Sequence, residues 1–312
     1  MQISKSCPPR HAISLIEILF VLSIISVVLS IALPAVNGAR ESARRVSCIN
    51  RLRQLGLGLQ NFESAHGQYP SDGWGWGWVG DAGTKHGLDG PGGWAFDLLP
   101  FLEHEQLWQL TQSDEGRLQS LQTPIPLLVC PSRRDAKPFP YTQQDLPLRN
   151  CETPSVGSRT DFAICGGDQI VGAFPGPPSE KQLGQFGRPD QSLFSGISFV
   201  RSTIRPRDVS DGLSHTVSLG EKSLSRFHYE SGESLGDDQT ALIGDDADIR
   251  RWTEFSPRRD SEVDDIESFG SAHAPGLHVA FCDGAVQTVG YQVDLSIWKS
   301  MGNRSDTSRS DR

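Results

Sequence analysis

The side chains in this 312-residue sequence whose types and spacing could support chemistry are six cysteines, two neighbouring histidines, a group of aspartates and three alternating tryptophans. The cysteines (Cys7, Cys48, Cys130, Cys151, Cys165 and Cys282) form no CxxC pair, which argues against a zinc ribbon. His273, His278 and Asp283 fall in one stretch and raise a metal-site reading. The histidines are an odd number of positions apart, so on one strand they would face opposite sides, and no shared metal shell is expected. The expected roles are smaller. His273 makes a hydrogen bond that fixes the loop before a hairpin, and Asp283 with Gly284 makes the turn. Asp237, Asp238, Asp245, Asp246 and Asp248 could hold calcium through carboxylate oxygens, but they lack EF-hand spacing and read as a solvated charged loop. No other cofactor is implied. Trp74, Trp76 and Trp78 alternate with glycine, so on an extended segment their indoles would share a face. Such a face could stack on sugars or bind protein, or it could cover a core edge. No serine, cysteine or glutamate stands in a nucleophile-elbow or other catalytic pattern, and an enzyme is not expected.

Something must position these residues. Residues 18–36, ILFVLSIISVVLSIALPAV, are 19 positions without a charge, which nearly matches the hydrocarbon thickness of a bilayer at about 1.5 Å per helical residue. From residue 39 the pattern becomes amphipathic. Val46, Ile49, Leu52, Leu55, Leu59 and Phe62 recur at three- and four-residue steps, with Arg40, Arg44, Arg51 and Arg53 between them. The spacing predicts a helix to about Phe62, ending near Gly67 or Pro70, with its apolar stripe packed on a globular domain. Residues 94–102 read as a buried segment leading into a short helix, and residues 119–131 as a turn followed by a buried strand ending at Cys130. Further strands are expected at 160–165, 198–204 and 216–221. In residues 277–289, LHVAFCDGAVQTV, alternating apolar runs flank Asp283-Gly284, the strongest hairpin signal in the chain. Abundant glycine (32) and proline (20) favour a loop-rich domain over a helical bundle. The fold class is therefore α+β, a long N-terminal helix on a mainly antiparallel sheet with long loops.

The border of the apolar run is unusual, because Glu17 stands at its entrance and only six residues, 11–16, separate Glu17 from Arg10. Lys5 and Arg10, then Ala12-Ile13-Ser14-Leu15-Ile16-Glu17 and the apolar run, resemble the type IV prepilin signal, in which a basic leader is cut before the hydrophobic helix. Counted from Ile13, Glu17 is fifth and Pro34 twenty-second, as the resemblance implies; Ala12 stands where glycine is usual and Ile13 where phenylalanine is common. A secretory signal would instead place small residues after the apolar stretch. The resemblance implies cleavage at Ala12/Ile13 by a prepilin peptidase. The new amine of a neighbouring subunit's Ile13 could then offset the cost of Glu17 at the bilayer edge. Pro34, without an N–H, would kink the helix.

Six further segments resemble the planctomycete family of prepilin-like proteins catalogued as domain of unknown function 1559: 45–62, 94–105, 129–132, 160–167, 209–221 and 269–289. This resemblance implies a pseudopilin-like fold at the cell envelope. Cys48 and Cys130 both fall inside family-like segments, and an oxidising exterior would permit a bridge between helix and sheet; Cys151 and Cys165 are a second candidate pair.

The expected organisation is a leader at 1–12, a membrane and assembly helix at 13–36, its amphipathic continuation at 37–66, an exported domain at 67–298 and a polar tail at 299–312. Net charge is −9; loss of Lys5 and Arg10 leaves 27 basic against 38 acidic residues, and such a product repels nucleic-acid phosphates. Arg40, Arg44 and Arg45 follow the span, so the positive-inside count opposes an exported C-terminus, and the processing motif is given the greater weight. The expected function is a single-pass, envelope-anchored structural subunit whose partners are the membrane, a prepilin peptidase and other pilin-like subunits. The alternatives are an anchored glycan- or peptide-binding module built on the tryptophans and, behind it, an envelope hydrolase.

Overall fold

The computed structural model describes residues 15–84 and 90–306. The chain divides into two compact units between Arg44 and Arg45. One helix, α1 (Leu15–His66), runs through the division without interruption, with Pro34 inside it.

In the first unit the sequence leaves the helix no polar stripe, and among the described residues none of its apolar side chains is buried. Fifteen large hydrophobic residues from Leu15 to Val36 are exposed. Burial of such a side chain is worth about 1.5–3 kcal/mol, so fifteen in water would outweigh the whole stability of an ordinary domain, about 5–15 kcal/mol. The hydroxyls of Ser26 and Ser30 are satisfied by the helix itself, Ser26 Oγ donating to Leu22 O (2.8 Å) and Ser30 Oγ to Val27 O (2.7 Å). The helix is long and apolar enough to cross a membrane.

The second unit is an α+β domain built on the later turns of α1. Cys48, Leu52, Leu55, Leu59 and Phe62 are buried, whereas Val46 is exposed, so the stripe begins at Cys48 rather than at Val46. Gly56 and Gly58, poor helix formers, sit where the helix approaches its neighbours most closely. A Cβ on Gly58 would lie 2.7 Å from Leu102 Cδ2, and one on Gly56 would touch Ala280 and Gly284. The helix stops at Gly67, whose φ of +71° supplies the left-handed residue that ends many helices.

Four short helices follow: α2 (Trp94–Asp97), α3 (Glu105–Leu110), α4 (Asp114–Gln122) and α5 (Leu295–Gly302). Nine strands are present among the described residues: β1 (Phe139–Pro140), β2 (Val156–Gly157), β3 (Phe162–Cys165), β4 (Val217–Glu221), β5 (Arg250–Arg251), β6 (Arg258–Arg259), β7 (Gly270–Ser271), β8 (Leu277–Phe281) and β9 (Val286–Val289). Five of them form the main sheet in the order β5-β3-β4-β8-β9, antiparallel except for the β3–β5 pair; β1–β2 and β6–β7 are separate two-stranded pairs. Side chains alternate across this sheet. Phe162 and Ile164 join the core beneath α1, while Ala163, Cys165, Val279 and Phe281 join Trp298 of α5 on the other face.

The β8–β9 hairpin forms around Asp283-Gly284, where Gly284 has φ +83°, its N–H donates to Phe281 O, and Asp283 Oδ1 accepts from the Ala285 N–H (both 2.9 Å). Two expected strands are absent. Residues 119–131 form the end of α4 and a 3-10 turn, Pro126–Leu128, because Ser113 caps a helix just upstream and Pro124 and Pro126 have no N–H for a ladder. Residues 198–204 turn instead of extending, since Arg201 has φ +52° and Ser202 N–H donates back to Phe199 O. The expected polar tail at 299–312 begins too early: α5 runs to Gly302, and Arg304 donates to Phe194 O and Gly196 O (2.6 Å for the latter).

Candidate functional site

Two of the expected site residues meet in the core of the second unit. Cys48, brought in by α1, and Cys130, after the 3-10 turn, are fully buried with their sulfurs 2.7 Å apart, inside the separation at which unbonded sulfurs repel. Arg51, one turn along α1, donates to Val129 O and holds the two segments together. His273 Nε2 lies 3.7 Å from Cys130 Sγ and 3.4 Å from Glu221 Oε1, at the end of β4. Glu221 Oε2 accepts the His278 N–H (2.8 Å), His278 Nδ1 meets Thr288 Oγ1 (2.9 Å), and Tyr291 donates to the His273 carbonyl (2.6 Å).

The odd-step argument for the histidines fails here. His273 precedes β8 instead of lying on it, so its ring comes within 5.2 Å of His278 and both address Glu221. Burial works against charge on both partners of the His273–Glu221 pair. Hydrogen bonds to Cys130 and Glu221 nevertheless raise His273 to about 10, and the bond from His273 keeps Glu221 below the usual carboxylate range. Burial lowers His278. One donor atom from each of Cys48, Cys130, Glu221 and His273 falls within a 4.8 Å cluster, a donor set that zinc accepts. The close sulfur contact favours covalent joining of the cysteines over spreading them around an ion.

Beside this centre lies a charge network that sequence reasoning missed. Arg133 pairs with Asp260 (2.8 Å), Arg134 with Asp161 (2.6 Å) and with Asp237, Lys222 with Asp237 (2.9 Å), and Arg250 with Asp245 (2.7 Å), all essentially inaccessible to water. Burial alone would discharge Arg134, but Asp161 and Asp237 raise it instead; for Lys222 burial prevails and lowers it. The available signal was local: Lys222 directly follows the expected strand at 216–221, and Arg250-Arg251 directly follows Ile249 and precedes Trp252.

Other expectations fare differently. Trp74 and Trp78 are buried, their rings 4.8 Å apart, and Trp78 Nε1 donates to Pro177 O (3.0 Å). Of the three indoles only Trp76 is partly exposed, so the shared binding face does not form. Cys151 and Cys165 do not pair, because Cys165 points to the α5 side of the sheet and Cys151 packs against the opposite core. Glu17 is in the first turn of α1, and Ala12 and Ile13 lie outside the described residues.

The sequence model of the family described as "Protein of unknown function (DUF1559)" matches residues 37–296, most of the chain. The chain belongs to the DUF1559 family. The match takes in the amphipathic turns of α1, both cysteines of the buried centre, Glu221 and His273, so the DUF1559 region and the α+β domain largely coincide. No curated protein and no solved structure matches the chain.

Proposed function

We propose that this DUF1559 protein is a pseudopilin-like structural subunit, held in the membrane by the first half of α1 and carrying its α+β domain on the extracytoplasmic side. The observation that carries the reading is the continuity of α1: one helix supplies an exposed apolar half with Glu17 at its start and, further on, a buried stripe in a folded domain. In this reading a prepilin peptidase cuts between Ala12 and Ile13, and the released amine of one subunit meets Glu17 of another as the helices bundle, which offsets the cost of a carboxylate in an apolar setting. The buried Cys48–Cys130 contact supports an oxidising location.

N-terminal mass spectrometry of protein recovered from native membranes tests this. Material beginning at Ile13, with the helix retained, is expected; material beginning at Met1, or lacking the helix altogether, overturns it. The assembly role has its own readout. Glu17→Gln should leave the amount and folding of the protein unchanged while it no longer co-purifies with other helix-bearing subunits.

A further inference from the structure

The aspartates at 237–248, expected to be a solvated loop, are mostly buried: Asp237, Asp238, Asp245 and Asp248 have little contact with water, and Asp246 is half-buried. A charge imbalance that does meet solvent lies elsewhere and has the opposite sign. An open cavity of about 620 Å³ is lined by the guanidiniums of Arg205, Arg207 and Arg304 against one carboxylate, that of Asp208. Three positive charges less one negative leave two, in a chain whose net charge is −9. Asp211 and Asp306 adjoin the lining in sequence and are not part of it.

The backbone fixes where these cations stand. Arg205 and Arg207 flank Pro206, whose ring sets φ, at the 3-10 turn Pro206–Asp208. Asp208 closes that turn, its N–H donating to Arg205 O (2.8 Å) and its Oδ2 accepting the Arg205 N–H (2.9 Å). Arg207 Nε comes only within 3.9 Å of the same carboxylate. Arg304, just after α5, is pinned from two sides: its N–H donates to Ser195 O (2.9 Å) and its carbonyl accepts the Asp211 N–H (3.1 Å). Its guanidinium lies 6.0 Å from the centre of the Phe199 ring and donates to the carbonyls of Phe194 and Gly196. Carbonyls aim a guanidinium without cancelling its charge. Burial accordingly lowers Arg304, and Asp208 is the group that opposes the shift. Thr203, Ser210 and Ser305 add hydroxyls to the lining, and Ile204 adds an apolar side chain.

We propose that this cavity binds a small, soluble phosphate monoester, with Arg205, Arg207 and Arg304 around the phosphate group. Guanidiniums present paired N–H donors that match phosphate oxygens, and such charge-assisted bonds are the strong ones. A phosphate monoester carries about −1.5 to −2 at pH 7, which balances the two positive charges left by the lining, whereas a carboxylate would leave one of them unmatched. The volume is that of a ligand pocket, which typically spans about 300–1,000 Å³, and has room for more than a bare ion. Hydroxyls from three residues suit a polyol as the rest of the ester and do not suit acyl chains. The site makes no use of the first half of α1, so it stands or falls separately from the assembly role.

The test is calorimetric titration of the full chain in mild detergent with glycerol 3-phosphate and with inorganic phosphate. Glycerol 3-phosphate should bind once per chain with Kd below about 1 mM, and more tightly than inorganic phosphate. Arg205→Gln and Arg207→Gln, both at exposed positions, should each weaken it about tenfold, the loss of one charge-assisted hydrogen bond. Arg226→Gln removes the same charge from an exposed position outside the lining and should change binding by less than about twofold. Asp208→Asn keeps an acceptor for the Arg205 N–H but removes the cavity's own negative charge, and should tighten binding. Acetate, and phosphatidic acid carried in the same micelles, should compete poorly. The assignment is overturned if the wild-type chain takes up neither phosphate, if Arg226→Gln costs as much as the lining variants, if Asp208→Asn binds more weakly with its thermal midpoint unchanged, or if acetate or phosphatidic acid displaces glycerol 3-phosphate at equal concentration.

Discussion

The first turns of α1 and the interior of the sheet domain distribute side chains in opposite ways. From Leu15 to Val36 the large apolar side chains are exposed, whereas the domain holds Arg133, Arg134, Arg159, Lys222, Arg250 and Arg251 inside. The same physical rule produces both. Apolar surface is tolerated outside only where the surroundings are themselves apolar, and charge is tolerated inside only where an opposite charge and hydrogen bonds replace water. The helix therefore implies something about its environment, and the domain interior about its own specificity.

The contrast breaks most severely inside the domain. Arg134→Met leaves Asp161 without its 2.6 Å partner and Asp237 with only Lys222, and removal of one member of a buried ion pair costs about 3–5 kcal/mol. Chemical denaturation should show a loss of that size. Adding Asp161→Asn should return part of it, because the second change removes the stranded charge. If the double variant is less stable than the single one by the full cost of another pair, the charges are not acting as partners.

The reverse experiment puts charge where apolar surface now lies. Val27→Arg sits mid-way along the exposed run and should reduce membrane insertion by about 2.5–3.5 kcal/mol, read as the fraction of chain recovered with membranes. Leu57→Arg, on an exposed face of the domain's part of the helix, should change domain stability by less than about 0.5 kcal/mol. Equal sensitivity at the two positions would erase the distinction between the halves.

Between these extremes lies the cysteine contact that ties α1 to the domain. Joined, Cys48 and Cys130 close an 82-residue separation, and a native bridge of this kind is typically worth about 2–4 kcal/mol. Protein from an oxidising compartment should be lighter by two hydrogens than its reduced form, and Cys48→Ala should lower the thermal midpoint of the oxidised but not of the reduced protein. A native mass that retains both thiol hydrogens would remove the bridge from the account.

These elements were not equally legible in the sequence. The long helix and the β8–β9 hairpin could be read because their signals are local: an uncharged run, a three-four periodicity and Asp283-Gly284. The Cys48–Cys130 contact was within reach because a helix cysteine and a cysteine at the end of an apolar run both lie in family-like segments. The buried charges were not, because nothing in the order of residues pairs Arg134 with Asp237, which is 103 positions away. The tryptophans misled for a related reason. Alternation predicts a shared face on a regular strand, but the glycines between them permit a folded loop in which Trp74 and Trp78 pack on each other.

The remaining effect is one of pH and concerns the His273–Glu221 pair, which combines the two themes because its charges are buried yet lie against the helix that bears the apolar run. In the reduced protein burial opposes the imidazolium, but hydrogen bonds to the Cys130 thiol and Glu221 raise His273 to about 10 from an ordinary value near 6.5, so the midpoints are to be measured with the cysteines reduced. A group with a raised folded pKa contributes stability that is complete below the unfolded pKa and disappears as pH climbs through the folded one. The contribution should therefore be full at pH 6, decline through pH 7 to 10 and be gone above it. Thermal midpoints measured across that window should fall more steeply for the parent than for His273→Gln, which keeps a hydrogen bond to Glu221 without titrating. Parallel slopes would mean that the imidazole is neutral in the folded protein, and that Glu221 is held by the His278 N–H and by more distant cations such as Arg133.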